Sequence, residues 1–327
     1  MAIKALTWTI QAFGPPVYCY HEIIHNQKVV KRFEEAGVIF VDDIAEVPEG
    51  VPIMLSAHGS APEVVQAARQ RSAYLVDAVC PLVTKVHHEV KTRSSKGYQI
   101  VYIGHEGHQE AVGTMAVAPE SIHRVDNAKA VAALPEFTEP VAVLAQTTLS
   151  HREWQSVLDH TRRRFPDLWQ PGKSDLCFAT TNRQTALMEI ATRCDAVLVI
   201  GSANSSNTQS LVHLAAEAGC RRVLRIEDAD NIPEDLSGTI GVTAGASGPE
   251  DLVRQVIERL APKHGVEEVT AMEEDEYFPP PRNLRDLLAT VEAAAVVALG
   301  SGLGDREPLN DRSISASDLL ERLSVPS

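Results

Sequence analysis

Six times along the chain, a short apolar run of strand length ends in a loop of small and polar residues and passes into an amphipathic helix. The segments are "PVYCYHEIIHNQKVVKRFEEAG", "VPIMLSAHGSAPEVVQAARQ", "QIVYIGHEGHQEAVGTMA", "VAVLAQTTLSHREWQSVLDHTRRRF", "AVLVIGSANSSNTQSLVHLAAEAG" and "TIGVTAGASGPEDLVRQVIERL". Strands that alternate with helices are joined by crossovers, so they lie parallel, and their polar loops gather at the carboxyl ends of the strands. The expected class is α/β, with function at those loop ends.

The loops fall into pairs, and a cysteine precedes two of the pairs. His105 follows Cys80 by 25 positions and Asn204 follows Cys177 by 27; Thr147 follows Cys80 by 67, and Ser247 follows Cys177 by 70. Such self-similarity predicts three similar small domains with parallel sheets, arranged around a central site. Their expected bounds are 1–79, 80–176 and 177–264, with 265–327 returning to the first domain and adding an extra tail. Projected onto the first pair of loops, at His25 and His58, the spacing puts the matching cysteine upstream of Met1, at about −1 to −10.

The balance of 30 Lys and Arg against 44 Asp and Glu gives a net charge of −14. That argues against a nucleic-acid surface, which needs dense positive charge. No apolar run approaches the ~20 residues of a membrane-spanning helix. The start, "MAIKALTWTIQAF", lacks a small-residue cleavage site and reads as the first helix of a cytoplasmic domain. Five cysteines, an odd number spread widely through the 327 residues, do not suggest a disulfide framework.

One cysteine from each of three domains suits an iron–sulfur cluster with one iron left open to act as a Lewis acid. Zinc prefers four protein ligands in a closed structural site. The competing reading makes Cys80 and Cys177 small buried core residues. Cys19, Cys194 and Cys220 precede no loop pair and read as structural. The loops have the chemistry of an anion site at helix N-termini, where backbone N–H groups and the helix dipole favour phosphate. "NSSNT" contains no lysine, and His25, His58 and His108 are the groups placed to share that load. Against this, Ser205 and Ser206 also suit ordinary helix caps. Glu110, two residues after His108, is positioned to relay protons beside an anion site. His87 and His88 fit the helix after Cys80, and "GSGLG" at 300–304 is too slight to mark a nucleotide loop.

Together "HEIIHN", "SAHG", "CPLVTKVH", "IGHEGH", "QTTLS", "CFATTNRQ", "GSANSSN" and "GVTAGAS", in this order over about residues 1–285, resemble the 4-hydroxy-3-methylbut-2-enyl diphosphate reductase family. The resemblance implies three α/β domains around a 4Fe-4S cluster held by three cysteines. It implies a two-electron, two-proton removal of an allylic hydroxyl, giving isopentenyl and dimethylallyl diphosphates, the last step of the methylerythritol phosphate route. Carried over by position, Cys80 and Cys177 become cluster ligands. His25, His58, His108, Ser205, Ser206, Asn207 and Ser247 hold the diphosphate, Glu110 serves the proton relay and Thr147 lies near the substrate hydroxyl. A ferredoxin or flavodoxin system is the implied electron donor.

Two departures stand out. The family opens with a strand and "GFCAGV" before the helix matching Ala2 onward, so Met1 is expected to be an internal residue whose start was placed too late. A polypeptide beginning at Met1 is then expected to retain the cluster poorly and turn over little. The family's Pro in "GHPE" is Gln109 here. The segment from roughly Asp286 to Ser327 exceeds the usual length, and reads as two helices, "RDLLATVEAAAVVAL" and "ASDLLERLSV", in a disordered tail or a lid. Two rival readings are a cluster-deficient paralogue that only binds a diphosphate, and a zinc or Cys–His hydrolase using Cys80 or Cys177.

Overall fold

The computed structural model describes residues 1–271, 277–299, 312 and 314–323. Its strands form three separate, wholly parallel sheets. The first contains β1 (Val17–Tyr20), β2 (Val38–Val41), β3 (Pro52–Leu55) and β4 (Tyr74–Asp77), in the order β2-β1-β3-β4. The second has β5 (Gln99–Ile103), β6 (Ile122–Val125) and β7 (Val141–Ala145), ordered β6-β5-β7. The third has β8 (Ala196–Ile200), β9 (Val223–Ile226) and β10 (Ile240–Ala244), ordered β10-β8-β9. The α/β class expected from the alternating pattern is the class found.

The six apolar runs are β1, β3, β5, β7, β8 and β10. All five residues of β7 and of β8 are buried, which is why they read as unbroken hydrophobic runs. The four other strands are edge strands of four residues that mix buried with exposed or half-buried positions. Such strands carry little hydrophobic signal.

The sheets repeat at the level of single hydrogen bonds. His21, Gly104 and Gly201, each directly after β1, β5 or β8, donate their N–H to the last carbonyl of the neighbouring edge strand, at Val41, Val125 and Ile226 respectively (2.8, 2.9 and 2.9 Å). In the second and third sheets an arginine on the edge strand clasps the same loop start. Arg124 Nη1 donates to Gly104 O (3.2 Å), and Arg225 Nη1 donates to Gly201 O (2.9 Å). Each loop therefore leaves its sheet in a fixed direction.

By compactness the chain divides into two units. One contains Met1–Ile24 and Val29–Pro81 with the described residues from 277 onward; the other contains His25–Lys28 and residues 82–271. The first unit's core gathers Leu6 and Trp8 of α1 (Ala2–Phe13), Phe33 of α2 (Gln27–Glu35) and Met54 of β3. Leu284 of α11 (Arg282–Leu299), and Leu319 and Leu320 of α12 (Ala316–Leu323), complete it. Leu320 is fully buried. The expectation of a disordered tail or lid is therefore corrected for these two helices, whose leucines belong to the first core. The Gly-rich segment 300–304 lies outside the described residues.

In the second unit, α4 (Pro81–Ser95), α5 (Gln109–Met115), α6 (Ala128–Ala132) and α7 (His151–Arg164) accompany the second sheet, while α8 (Phe178–Ala191), α9 (Ser206–Glu217) and α10 (Glu250–Leu260) accompany the third. A capping box opens α7: Ser150 Oγ accepts from the Glu153 N–H (3.1 Å), and the Glu153 carboxylate accepts from the Ser150 N–H (3.0 Å).

Candidate active site

Glu110 occupies the second position of α5 and is 2% exposed. Its Oε1 accepts the Thr147 N–H (2.7 Å) and its Oε2 accepts the Thr147 hydroxyl (2.9 Å). Burial pushes its pKa up to about 7 against the lowering effect of both Thr147 hydrogen bonds, with the Asp175 charge adding to the rise. Thr147 sits two residues beyond β7, and its carbonyl accepts the N–H of Cys177 (2.8 Å). Cys177 is the N-cap of α8, with no capping bond from its side chain. Asp175, just before it, accepts from Ala145 N–H (3.1 Å) and Lys85 Nζ (3.2 Å), which fixes the approach to the cysteine.

A second cluster surrounds the loops after β5, β8 and β10. The His25 and His108 rings meet edge to face, 5.4 Å between centroids. Asn26 Nδ2 donates to Ser247 O (3.2 Å) and Ser247 Oγ donates to His25 O (3.1 Å), while Gln27 N–H donates to Ser202 Oγ (2.8 Å). His108 caps α5, its Nδ1 accepting the Glu110 N–H (3.2 Å). That bond puts the proton of the neutral ring on Nε2. Burial first, then the charges of His25 and His105, lower the His108 pKa to about 4, so the ring is a neutral donor near pH 7. Lys28, in the segment beside this cluster, is engaged by Asp228.

Ser205 caps α9, its Oγ accepting the Thr208 N–H (3.3 Å). Ser206 Oγ lies 3.3 Å from His105 Nδ1. Gly201 and Gly245 press against Thr208 so closely that a Cβ at either would collide with its hydroxyl. Asn207 holds the position in α9 that Glu110 holds in α5, the second residue after the cap. It is 4% exposed, and its amide oxygen and nitrogen have no hydrogen-bond partner among the described residues. Burying an amide unpaired costs about 1–3 kcal/mol, and both of its polar atoms remain available to a polar ligand group.

In the first unit, His58 lies in the loop after β3, and the Cys80 N–H donates to Ala57 O (3.0 Å). Ala57 is two residues past β3, as Thr147 is two residues past β7, and Cys80 directly precedes α4 as Cys177 directly precedes α8. The two cysteines therefore share one local setting. The Met1 amino group is close enough to Cys80 for the two to interact electrostatically; burial, then Lys4, lowers its pKa, and Cys80 opposes them.

Cys80 and Cys177 are half-buried, whereas Cys19 and Cys220 are buried. Burial pushes the Cys19 thiol up, and Cys220 Sγ donates to Arg222 O (3.5 Å); Cys194, the third cysteine read as structural, is half-buried like Cys80 and Cys177. Among the described residues no group of three or more His, Cys, Asp or Glu side chains is set to hold a metal ion. The sequence pattern pointed to the loops but singled out neither His105 as a partner of Ser206 nor Asn26 and Ser202 as braces. Only their position in the paired loops signalled them.

A family model described as LytB protein matches residues 1–261. The 4-hydroxy-3-methylbut-2-enyl diphosphate reductase of Rhodopirellula baltica is 47% identical over 301 residues, covering 90% of this chain and 94% of the relative. The enzyme of the same name from Mycolicibacterium paratuberculosis is 45% identical over 291 residues, covering 87% of each. Among solved structures, the E-1-hydroxy-2-methyl-but-2-enyl-4-diphosphate reductase of Plasmodium falciparum matches with a TM-score of 0.85 and 31% identity, over 89% of this chain and 94% of that one.

Proposed function

The chain belongs to the LytB protein family, and from that premise we propose that it reduces (E)-4-hydroxy-3-methylbut-2-enyl diphosphate to isopentenyl and dimethylallyl diphosphates, closing the methylerythritol phosphate route. The observation that carries this reading is the line Glu110–Thr147–Cys177, in which a buried carboxyl of pKa about 7 holds the Thr147 hydroxyl and the Thr147 backbone carbonyl accepts the N–H of Cys177 at a helix start.

The balanced reaction takes two electrons and two protons, breaks the allylic C–O bond, forms a C–H bond and releases water. Glu110 in its protonated form donates to Thr147 Oγ, which passes its own proton to the departing hydroxyl. The neutral His108 offers Nε2–H to the diphosphate, with His25, His58, Ser205, Ser206, Asn207 and Ser247 as the other binding groups. The electrons come from a ferredoxin or flavodoxin in the cytoplasm. Among the described residues no helix is long and apolar enough to cross a membrane.

Cys80 and Cys177 fit a 4Fe-4S cluster by their donor chemistry and shared setting, half-buried at helix starts where the dipole favours an anionic ligand atom. When bound, the cluster supplies electrons singly and an open iron as Lewis acid. The three-cysteine ligand set takes one thiolate beyond Cys80 and Cys177. The cluster-deficient alternative is disfavoured by relatives at 45–47% identity that carry the reductase name.

Asn207 gives a test that separates binding from folding. Asn207→Leu removes an unpaired buried amide and is expected to stabilise the ligand-free chain by about 1–3 kcal/mol in denaturant unfolding. The same change is expected to weaken inorganic pyrophosphate binding by about tenfold or more in calorimetry. Lower stability with unchanged affinity would remove Asn207 from the binding site.

A further inference from the structure

Reading the polar cluster as the diphosphate site leaves one histidine without a task. His105 is fixed on three sides. Its N–H donates to Gln146 Oε1 (2.9 Å), its Nδ1 lies 3.3 Å from Ser206 Oγ, and its Nε2 lies 3.7 Å from Glu153 Oε1. The other oxygen of Glu153 is taken by Ser150, which donates its N–H (3.0 Å) and its hydroxyl (2.6 Å) to Oε2. The carboxylate that faces His105 is therefore locked by the α7 capping box.

A serine hydroxyl has one proton and cannot donate it both to His105 and to a phosphate oxygen. With Nε2–H directed at Glu153, the state of Nδ1 decides the outcome. If Nδ1 is a lone pair, Ser206 spends its proton on the ring and turns lone pairs toward an anion. If Nδ1 carries a proton, Ser206 accepts from the ring and its own proton is free to point at the anion. Glu153 raises the His105 pKa and is itself held down to about 2, chiefly by the histidine, so the pairing shifts the ring toward its doubly protonated form. Asp126 adds to this effect while Arg124 opposes it, and the His105 charge helps keep His108 neutral.

We infer that His105, held by Glu153, is a positioning residue that makes Ser206 a hydrogen-bond donor to the substrate diphosphate. The inference rests on the diphosphate reading of this site. One loop then supplies both kinds of donor, a neutral His108 directly and a cationic His105 through Ser206.

The test is calorimetric titration of inorganic pyrophosphate into the full chain. His105→Leu is expected to weaken binding about tenfold, the loss of one charge-assisted hydrogen bond. In His105→Asn the side-chain amide N–H replaces Nδ1–H, and affinity is expected to return to within about threefold of the parent chain. In a Ser206→Ala background, His105→Leu is expected to add nothing, because the two residues act as one unit. Equal affinity of His105→Leu and the parent chain, failure of Asn to rescue, or additive losses would each overturn the inference. Absence of pyrophosphate binding by the parent chain would overturn the diphosphate reading and this inference with it.

Discussion

Glu110→Gln, in the cluster-loaded enzyme, is expected to cut turnover by about 10²–10⁴-fold, the usual contribution of a positioned acid. Cluster content and diphosphate affinity should stay the same. The substituted amide keeps a carbonyl to accept one of the two Thr147 bonds but has no acidic proton to give. The pH dependence carries a definite sign. With a pKa of about 7 the carboxyl is protonated below that value, so proton-limited turnover should fall as pH rises through about 7, and this limb should vanish in the glutamine variant. Stability follows the same linkage. The folded-state pKa lies above the ordinary 4.5, so the folded chain binds the extra proton between these values. Its stability is therefore expected to decline as pH rises from about 4.5 to 7, and less steeply in Glu110→Gln. A variant with parental turnover and an unchanged pH profile would remove Glu110 from proton delivery.

In the form extended by a "GFCAGV"-bearing segment before Met1, Cys177→Ser is expected to abolish cluster retention and turnover while leaving the fold intact. Cys177 caps α8 without a side-chain capping bond. Serine is among the preferred N-caps, and a hydroxyl that caps well contributes about 0.5–2 kcal/mol. The variant should therefore fold at least as well as its parent, and loss of colour cannot be blamed on unfolding. Thermal unfolding of the cluster-free forms checks the first half, and visible absorption with iron and sulfide content after anaerobic loading checks the second. A serine variant that keeps a full four-iron cluster would refute ligation by Cys177.

The loop ends were legible in the sequence because β5, β7 and β8 are buried almost throughout and must be apolar, while the helix starts that follow them must offer small polar caps. β2, β4, β6 and β9 were not legible, since a short edge strand with exposed positions leaves no periodic trace. The C-terminal helices could be drawn from their leucines and were expected to return to the first domain, but which of those leucines, Leu284, Leu319 and Leu320, close its core is a packing detail that spacing does not encode. Within the site, Glu110 was named from its place two residues after His108, and the role of Thr147 came through the resemblance. Their mutual hydrogen bonds, separated by 37 positions, arise from β5 and β7 being neighbours in one sheet. His105 escaped notice because a histidine in a loop looks the same whether it binds a ligand or braces the serine that does.

Reductive dehydroxylation is the reaction proposed for these residues. The most direct test joins a "GFCAGV"-bearing segment before Met1, loads the protein anaerobically with iron and sulfide, and supplies (E)-4-hydroxy-3-methylbut-2-enyl diphosphate with a low-potential reductant. Mass spectrometry of the products is expected to find isopentenyl and dimethylallyl diphosphates, formed only by the cluster-loaded protein. A loaded protein that binds the diphosphate yet forms neither product would contradict the account.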